Sequence, residues 1–285
     1  MSKEINMNRK RLTLVLTVVC LLILMSGCST NFSPIYLDTP ISDMYQDGIF
    51  AVALTYPLAQ AINFLSQKIG VFWAVSIVTL ILNAIIIALT FRSNVSMQKM
   101  QELQPEIQKI QLKYEGRYGE ASQQRMNVEI QNLYKKNNVN PLGSLIATFI
   151  QFPVLISMYA AVRRSAAVAN GTFLGQSLAL TPKEAFMEKA FIIVAIYVIM
   201  IIMQFISVSI PRWLSIRKGR IEAEKKHKSY EKPAQQNSFM MYGIVVFIAV
   251  IMLSWPAALS LYYCIYSFVN IGKTLLIDKL MQKQE

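Results

Sequence analysis

Ser76, Thr79, Asn83 and Thr90 fall on one helical face of an otherwise apolar run, and three further apolar runs carry similar stripes. The second run has Ser144, Thr148 and Gln151, the third Tyr197 and Gln204, and the last Ser260, Tyr263, Ser267, Asn270 and Thr274. A fourth run, Gly243 to Leu253, has none. Inside a bilayer a hydroxyl or amide finds no bulk water, so each of these residues is costly and informative. The chemistry open to them is hydrogen bonding. They can hold helices together at ~0.6–2 kcal/mol each, or four polar faces turned to a shared interior can keep a pocket wet. The pattern leaves both readings open.

Catalysis has little to work with. His227 is the only histidine and lies in a charged segment, so neither a Ser-His pair nor a histidine metal cluster can be built. The string SFVNIGKT, Ser267 to Thr274, ends like a phosphate-binding loop but has Ser267 where the first glycine is required. No enzyme activity, cofactor or metal is expected. Of three cysteines only Cys28 has a context that implies chemistry. Arg9, Lys10 and Arg11 precede an apolar run from Leu12 to Leu24, and the small residues Ser26 and Gly27 stand directly before Cys28. That is the layout of a secretory signal, residues 1–27, ending at a lipid-modified cysteine, with palmitate as the expected acyl group. The alternative, a short first span, has a run below the ~20 residues that crossing needs.

The elements that would position the stripes follow from composition. Of 285 residues, 54% are hydrophobic and 15% charged, more apolar surface than one soluble core of that size buries. Apolar runs near 71–91, 142–162, 190–210, 238–254 and 256–277 are expected to be five membrane-spanning helices of an all-α, polytopic protein. Trp255-Pro256 leaves almost no loop between the last two, predicting a tight hairpin. Residues 92–140 hold eight Lys/Arg and 211–237 another eight, whereas only Lys68 lies between Cys28 and Gly70. The positive-inside rule then puts both basic segments in the cytoplasm, the N-terminus outside and the C-terminus inside. The net charge of +12 is explained by these loops, and DNA is not an expected partner. Arg163 and Arg164 fall on the outer side, where they are expected to snorkel to head groups.

Residues 28–70 are expected outside, first as an exposed polar linker to about Asp47. An amphipathic helix from Ile49 to Ile69 follows, lying on the membrane surface or packed on the protein. Residues 92–140 read as a cytosolic helical hairpin: Met100, Leu103, Ile107, Ile110 and Tyr114, then Met126, Ile130 and Leu133, recur at helical spacing around Gly116–Gly119. The stripes are expected to pack on each other. Met97, Met100, Met126, Lys109 and Lys113 are the candidates for client or ribosome contact if the hairpin is instead a partner surface. The segment 211–237, with Lys225, Lys226, His227 and Lys228, reads as a flexible, solvated cytosolic loop.

TLILN at 79–83, MQELQPEIQKIQLKY at 100–114, NPLGSLIATFIQFPV at 140–154 and WPAALSLYY at 255–263 resemble, in order and spacing, successive motifs of the YidC family of membrane protein insertases. Gly48-Ile49 and Tyr56-Pro57-Leu58 resemble the stretch before that family's first core span, so the likeness covers about 45–275. The resemblance implies a five-span core at 71–280 enclosing a hydrophilic groove. That groove would be open to cytoplasm and lipid, and lined here by Ser76, Thr79, Asn83, Thr148, Gln151, Gln204, Ser260, Tyr263 and Ser267. It implies insertion and folding of nascent membrane proteins without nucleotide hydrolysis, in the plasma membrane of a single-membrane bacterium, with the Sec translocon and the ribosome as partners beside the lipid bilayer. Asn83 stands where the family usually has a groove arginine, Ala88 and Ala147 where prolines are common, Tyr263 for a frequent Trp and Lys273 for a frequent Gln. These departures point to a divergent paralogue. Lys273 either returns a cation to the groove or snorkels. Only five residues follow Leu280, so ribosome contact is expected to use the cytosolic loops. Competing readings are a lipid-anchored assembly factor for one membrane complex and a small transporter, although no midspan charge or inverted repeat supports the latter.

Overall fold

The computed structural model describes residues 33–116, 119–225 and 236–282, without the side chains of 142, 144–148, 222, 236–241 and 244. The signal, Cys28 and the stretch with Lys226, His227 and Lys228 lie outside the described residues. What is described is almost wholly helical. A 3-10 helix at Ile41–Asp47 and a π turn at Ala51–Thr55 lead into α1 (Tyr56–Ile69) and α2 (Val71–Glu102). After them come α3 (Gln104–Lys113), α4 (Glu120–Lys136), α5 (Pro141–Arg164) and α6 (Ala166–Asn170). A two-stranded ribbon, β1 (Thr172–Phe173) with β2 (Gln176–Ser177), precedes α7 (Pro182–Met187), α8 (Phe191–Lys225), α9 (Gln236–Met252) and α10 (Ala257–Gln282). Among the described residues α2 and α8 have the length and apolarity to cross a membrane. The described residues group into two compact units, those of 33–74 with 151–179 and those of 75–150 with 180–282.

In the first unit the chain at Ile35 pairs with the end of α5. Its N–H donates to the Arg164 carbonyl at 2.6 Å, and its carbonyl accepts from Ala166 N at 3.1 Å. Ile35, Met44, Ala59 and Ala161 form the core, with Val52, Tyr56 and Leu58 packed against it. Asn63 ties the pieces together: its Nδ2 donates to the Ile35 carbonyl at 2.6 Å, and its Oδ1 accepts from Ser165 Oγ at 2.7 Å and Ala167 N at 3.0 Å. The stretch expected to be an exposed linker before Asp47 stays largely exposed over 33–47, with Tyr36, Leu37, Ile41 and Tyr45 on the surface, but it is not an unstructured connection. This stretch is folded, and Ile35 and Met44 are buried, because its few apolar residues meet the apolar side of α1. From the predicted amphipathic stripe Ala59 belongs to this core and Ile62 is buried, while Ile49 and Phe64 are exposed. Arg164 corrects the snorkelling expectation. Its guanidinium is buried, donating to Asp47 Oδ2 at 2.7 Å and to the Ser33 carbonyl at 3.0 Å, so a carboxylate replaces the head group as its counter-charge.

In the second unit α10 packs along α8, and α9 and α7 also lean on α8. The turn between α9 and α10 is short, from Leu253 to Pro256, yet α8 is the neighbour that both helices share. The turn is stitched to the chain before α7: Lys183 N donates to the Leu253 carbonyl at 3.1 Å and Ala257 N to the Leu180 carbonyl at 2.8 Å. Thr181 and Glu184 close a capping box at the start of α7. Leu103, Ile107 and Val139 form the core of the α3–α4 hairpin, with Met100, Ile130 and Leu133 against them.

Two boundaries differ from the sequence reading. α2 continues unbroken to Glu102, because no Gly or Pro interrupts it before Pro105, so residues 92–102 prolong α2 rather than forming the hairpin. α8 likewise runs to Lys225, so 211–225 is helix and not flexible loop. The two extensions meet. Proline at 105 has no N–H to give to the Gln101 carbonyl, and that carbonyl accepts from Ser215 Oγ at 3.2 Å instead. Beside it Lys218 bridges Glu102 at 2.5 Å and Asp278 at 2.9 Å. Burial works against the Lys218 ammonium, yet its hydrogen bonds to the two carboxylates raise its pKa above the ordinary lysine value.

Candidate functional site

The polar stripe of α2 is buried along its length: Ser76, Thr79, Asn83 and Thr90, continued one and two turns on by Asn94 and Gln98. Four of these six bond back to their own helix. Thr79 Oγ1 donates to the Val75 carbonyl at 2.7 Å, Asn83 Nδ2 to the Thr79 carbonyl at 2.8 Å, Thr90 Oγ1 to the Ile86 carbonyl at 2.6 Å and Asn94 Nδ2 to the Thr90 carbonyl at 3.0 Å. Such bonds to the residue four back satisfy a polar group without a partner helix, so the face stays polar at low cost.

The stripes of α8 and α10 meet directly. Ser267 Oγ donates to Gln204 Oε1 at 2.6 Å, and one turn on Asn270 Nδ2 donates to Ser207 Oγ at 2.8 Å. Tyr197, the other predicted polar residue of α8, turns to α9 and donates its hydroxyl to the Ala249 carbonyl at 2.8 Å. Lys273 on α10 reaches α2, its Nζ donating to Asn94 Oδ1 at 3.0 Å. Ser260 is fully buried, with its hydroxyl unpartnered. Tyr263 is buried in an edge-to-face ring cluster with Tyr262 and Tyr266.

Helices α2, α8 and α10 thus bring together, within one unit, the candidates Gln204 and Ser267, and join Asn94 to Lys273. Gln151 lies on α5 in the other unit and is half-buried, and the side chain of Thr148 lies outside the described residues. The sequence reading missed Ser207, Asn94, Gln98 and Lys218. Ser207 stands three residues beyond Gln204, and Asn94 and Gln98 continue the step of four from Thr90. For Asn94 and Gln98 the signal is periodicity carried past the apolar run into the segment expected to be a helical hairpin, Ser207 lies inside the run 190–210, and Lys218 stands in the segment expected to be a loop.

On the hairpin, Lys113 pairs with Glu129 at 2.9 Å, and the hydrogen bond from Lys113 lowers the exposed Glu129 carboxyl below its ordinary pKa. Met100, near the end of α2, packs against the hairpin's core, while Met97 and Met126 are half-buried.

Comparison with known proteins places the chain. Residues 64–284 match the family model described as 60Kd inner membrane protein. The chain is 30% identical over 271 residues to the membrane protein insertase YidC 2 of Bacillus anthracis, covering 94% of each. It is 30% identical over 275 residues to the membrane protein insertase MisCA of Bacillus subtilis, covering 94% of this chain and 92% of that one. Against the membrane protein insertase YidC of Oceanobacillus iheyensis it is 26% identical over 277 residues, covering 97% and 100%. With a family model matched over most of its length and relatives aligned nearly end to end, the chain belongs to the YidC family, the 60Kd inner membrane proteins.

Proposed function

We propose that this protein is a membrane protein insertase and membrane chaperone of a bacterial plasma membrane. It would act on nascent membrane proteins through a hydrophilic intramembrane groove without hydrolysing nucleotide. The observation that carries the reading is the set of buried polar groups on α2, α8 and α10, in a chain whose relatives are named insertases. Polar residues buried on three long apolar helices give a client's hydrophilic segment partners part-way into the bilayer, lowering the cost of its passage. The client's apolar span then enters lipid, where burial contributes ~0.8 kcal/mol per CH₂.

The reading includes five spans, near 71–91, 142–162, 190–210, 238–254 and 256–277, in a core of 71–280. Cytosolic segments at 92–140 and 211–237 and an external segment at 28–70 complete the chain. Exposed Ile49 and Phe64 would rest at the outer membrane surface. The signal would be removed and Cys28 lipidated, leaving the N-terminus outside and the C-terminus inside. Ser76, Thr79, Asn83, Thr148, Gln151, Gln204, Ser260, Tyr263 and Ser267 are the proposed groove lining. Met97, Met100, Lys109 and Lys113 are the proposed client or ribosome contacts, with the Sec translocon as a further partner.

Site-specific photocrosslinking to nascent membrane proteins tests this, with probes at Asn83, Gln151, Gln204 and Ser267 in turn. Crosslinks to inserting clients at these positions are expected. Silence there, with crosslinks only at the hairpin or to one resident complex, would replace the proposal with that of an assembly factor.

A further inference from the structure

We propose that Lys273, Asn94 and Gln98 form a binding site for the phosphate of an anionic phospholipid of the inner leaflet. Lys273 Nζ has one partner among the described residues, the neutral oxygen of Asn94 at 3.0 Å. The carboxylates nearest to it along these two helices, Glu102 on α2 and Asp278 on α10, are both engaged by Lys218. An ammonium carries three N–H donors, so Lys273 keeps two donors and a full charge without an acidic partner. Asn94 cannot rotate to serve otherwise, because its amide nitrogen is held by Thr90 Oγ1 at 2.9 Å and by the Thr90 carbonyl.

Gln98, one helical turn beyond Asn94 on the same face, is 7% exposed, and its Nε2 is buried with no hydrogen-bond partner. A buried amide N–H left without an acceptor is destabilising. The cluster therefore holds one uncompensated cation and surplus N–H donors. The ligand chemistry that satisfies both is a compact anion with several acceptor oxygens, which a phosphodiester is.

Depth selects the source. The apolar run of α2 ends near 91 and that of α10 near 277. Asn94 then stands ~4.5 Å beyond one end and Lys273 ~6 Å inside the other, bracketing the level of head groups. Basic pockets between spans at that face take anionic head groups. The same two helices expose Leu89 and Leu276 to acyl chains. The depth argument rests on the membrane-spanning reading above, whereas the test does not.

Full-length protein in detergent, offered dioleoylphosphatidylglycerol or dioleoylphosphatidylcholine, is examined by native mass spectrometry for retained lipid. Wild type is expected to retain one phosphatidylglycerol in preference to phosphatidylcholine, and Lys273→Arg to do the same. Lys273→Gln is expected to lose about tenfold in that preference, the loss of a charge-assisted hydrogen bond. Arg125→Gln, on the exposed hairpin, controls for net charge and should match wild type. Equal retention of both lipids by wild type, or undiminished preference in Lys273→Gln, would overturn the site. Displacement of the lipid by millimolar inorganic phosphate would assign the pocket to a free anion. Carbodiimide crosslinks from Lys273 to an acidic client segment, with no lipid retained, would assign it to the client. None of these readouts depends on insertion activity, so loss of the insertase reading and loss of this one are separable.

Discussion

Arg164 and Asp47, 117 residues apart in the chain, form an ion pair at 2.7 Å in which both side chains are less than a tenth exposed. The pair fastens the stretch before α1 to the C-terminal end of α5, where Ile35 and Asn63 already join the same two segments. Removing one partner of a buried pair leaves the other charge uncompensated, a loss of about 3–5 kcal/mol. Asp47→Ala should therefore free residues 33–47 for proteolysis, while the double change with Arg164→Met recovers part of the loss. Limited proteolysis followed by thermal unfolding in detergent checks both.

The hydrogen bond between Ser267 and Gln204 predicts a smaller effect. Ser267→Ala should lower the stability of α8 against α10 by ~0.6–2 kcal/mol, the range for such bonds between membrane helices. A double-mutant cycle with Gln204→Leu, read by unfolding in mixed micelles, should show coupling between the two. Additivity would mean that the bond contributes nothing.

Lys218 holds the root of the hairpin, since it touches Glu102 one residue before the break at Leu103. Lys218→Met should remove the ammonium that bridges Glu102 and Asp278 and speed hydrogen exchange across 99–113. The sign of its pH dependence follows from the raised pKa. The stabilisation is complete below the ordinary lysine value and is lost only as pH rises through the higher folded value. Exchange at 99–113 should thus be unchanged by this clamp at neutral pH and accelerate in strong alkali.

Glu129 behaves in the opposite sense. Its carboxyl is held below the ordinary value by Lys113. Its contribution is present above the ordinary carboxylate range and is lost as pH falls through the folded value. Nuclear magnetic resonance titration of Glu129 should show the depressed pKa, and Lys113→Met should raise it toward the ordinary range.

Much of the helical architecture was legible because lipid leaves a plain signal: long apolar runs, and polar residues repeating at helical spacing within them. Ser267 and Gln204 were visible on that ground, each as an anomaly in its own run. That they bond to each other was not visible, since periodicity gives a face and no neighbour. The extension of α8 was not legible as helix, because charge outside an apolar run has the same composition whether it is solvated coil or helix, whereas that of α2 was legible as helix but assigned to the hairpin. Pro105 was visible as the end of a helix, but not that the Gln101 carbonyl it frees is met by Ser215 from 114 residues away.

Local physics alone determined that this chain would be helical, where its apolar runs lie, and which helix faces are polar, since each depends only on residues a few positions apart. Its ordered motifs likewise carried the family. Partnership was decided by the tertiary structure. Whether Arg164 meets a head group or Asp47, and whether Lys218 is solvated or clamps two carboxylates, depend on which charges folding brings within 3 Å. So does which amide meets Lys273. A charge takes the nearest group that compensates for its lost hydration, and only the folded chain sets which group is nearest.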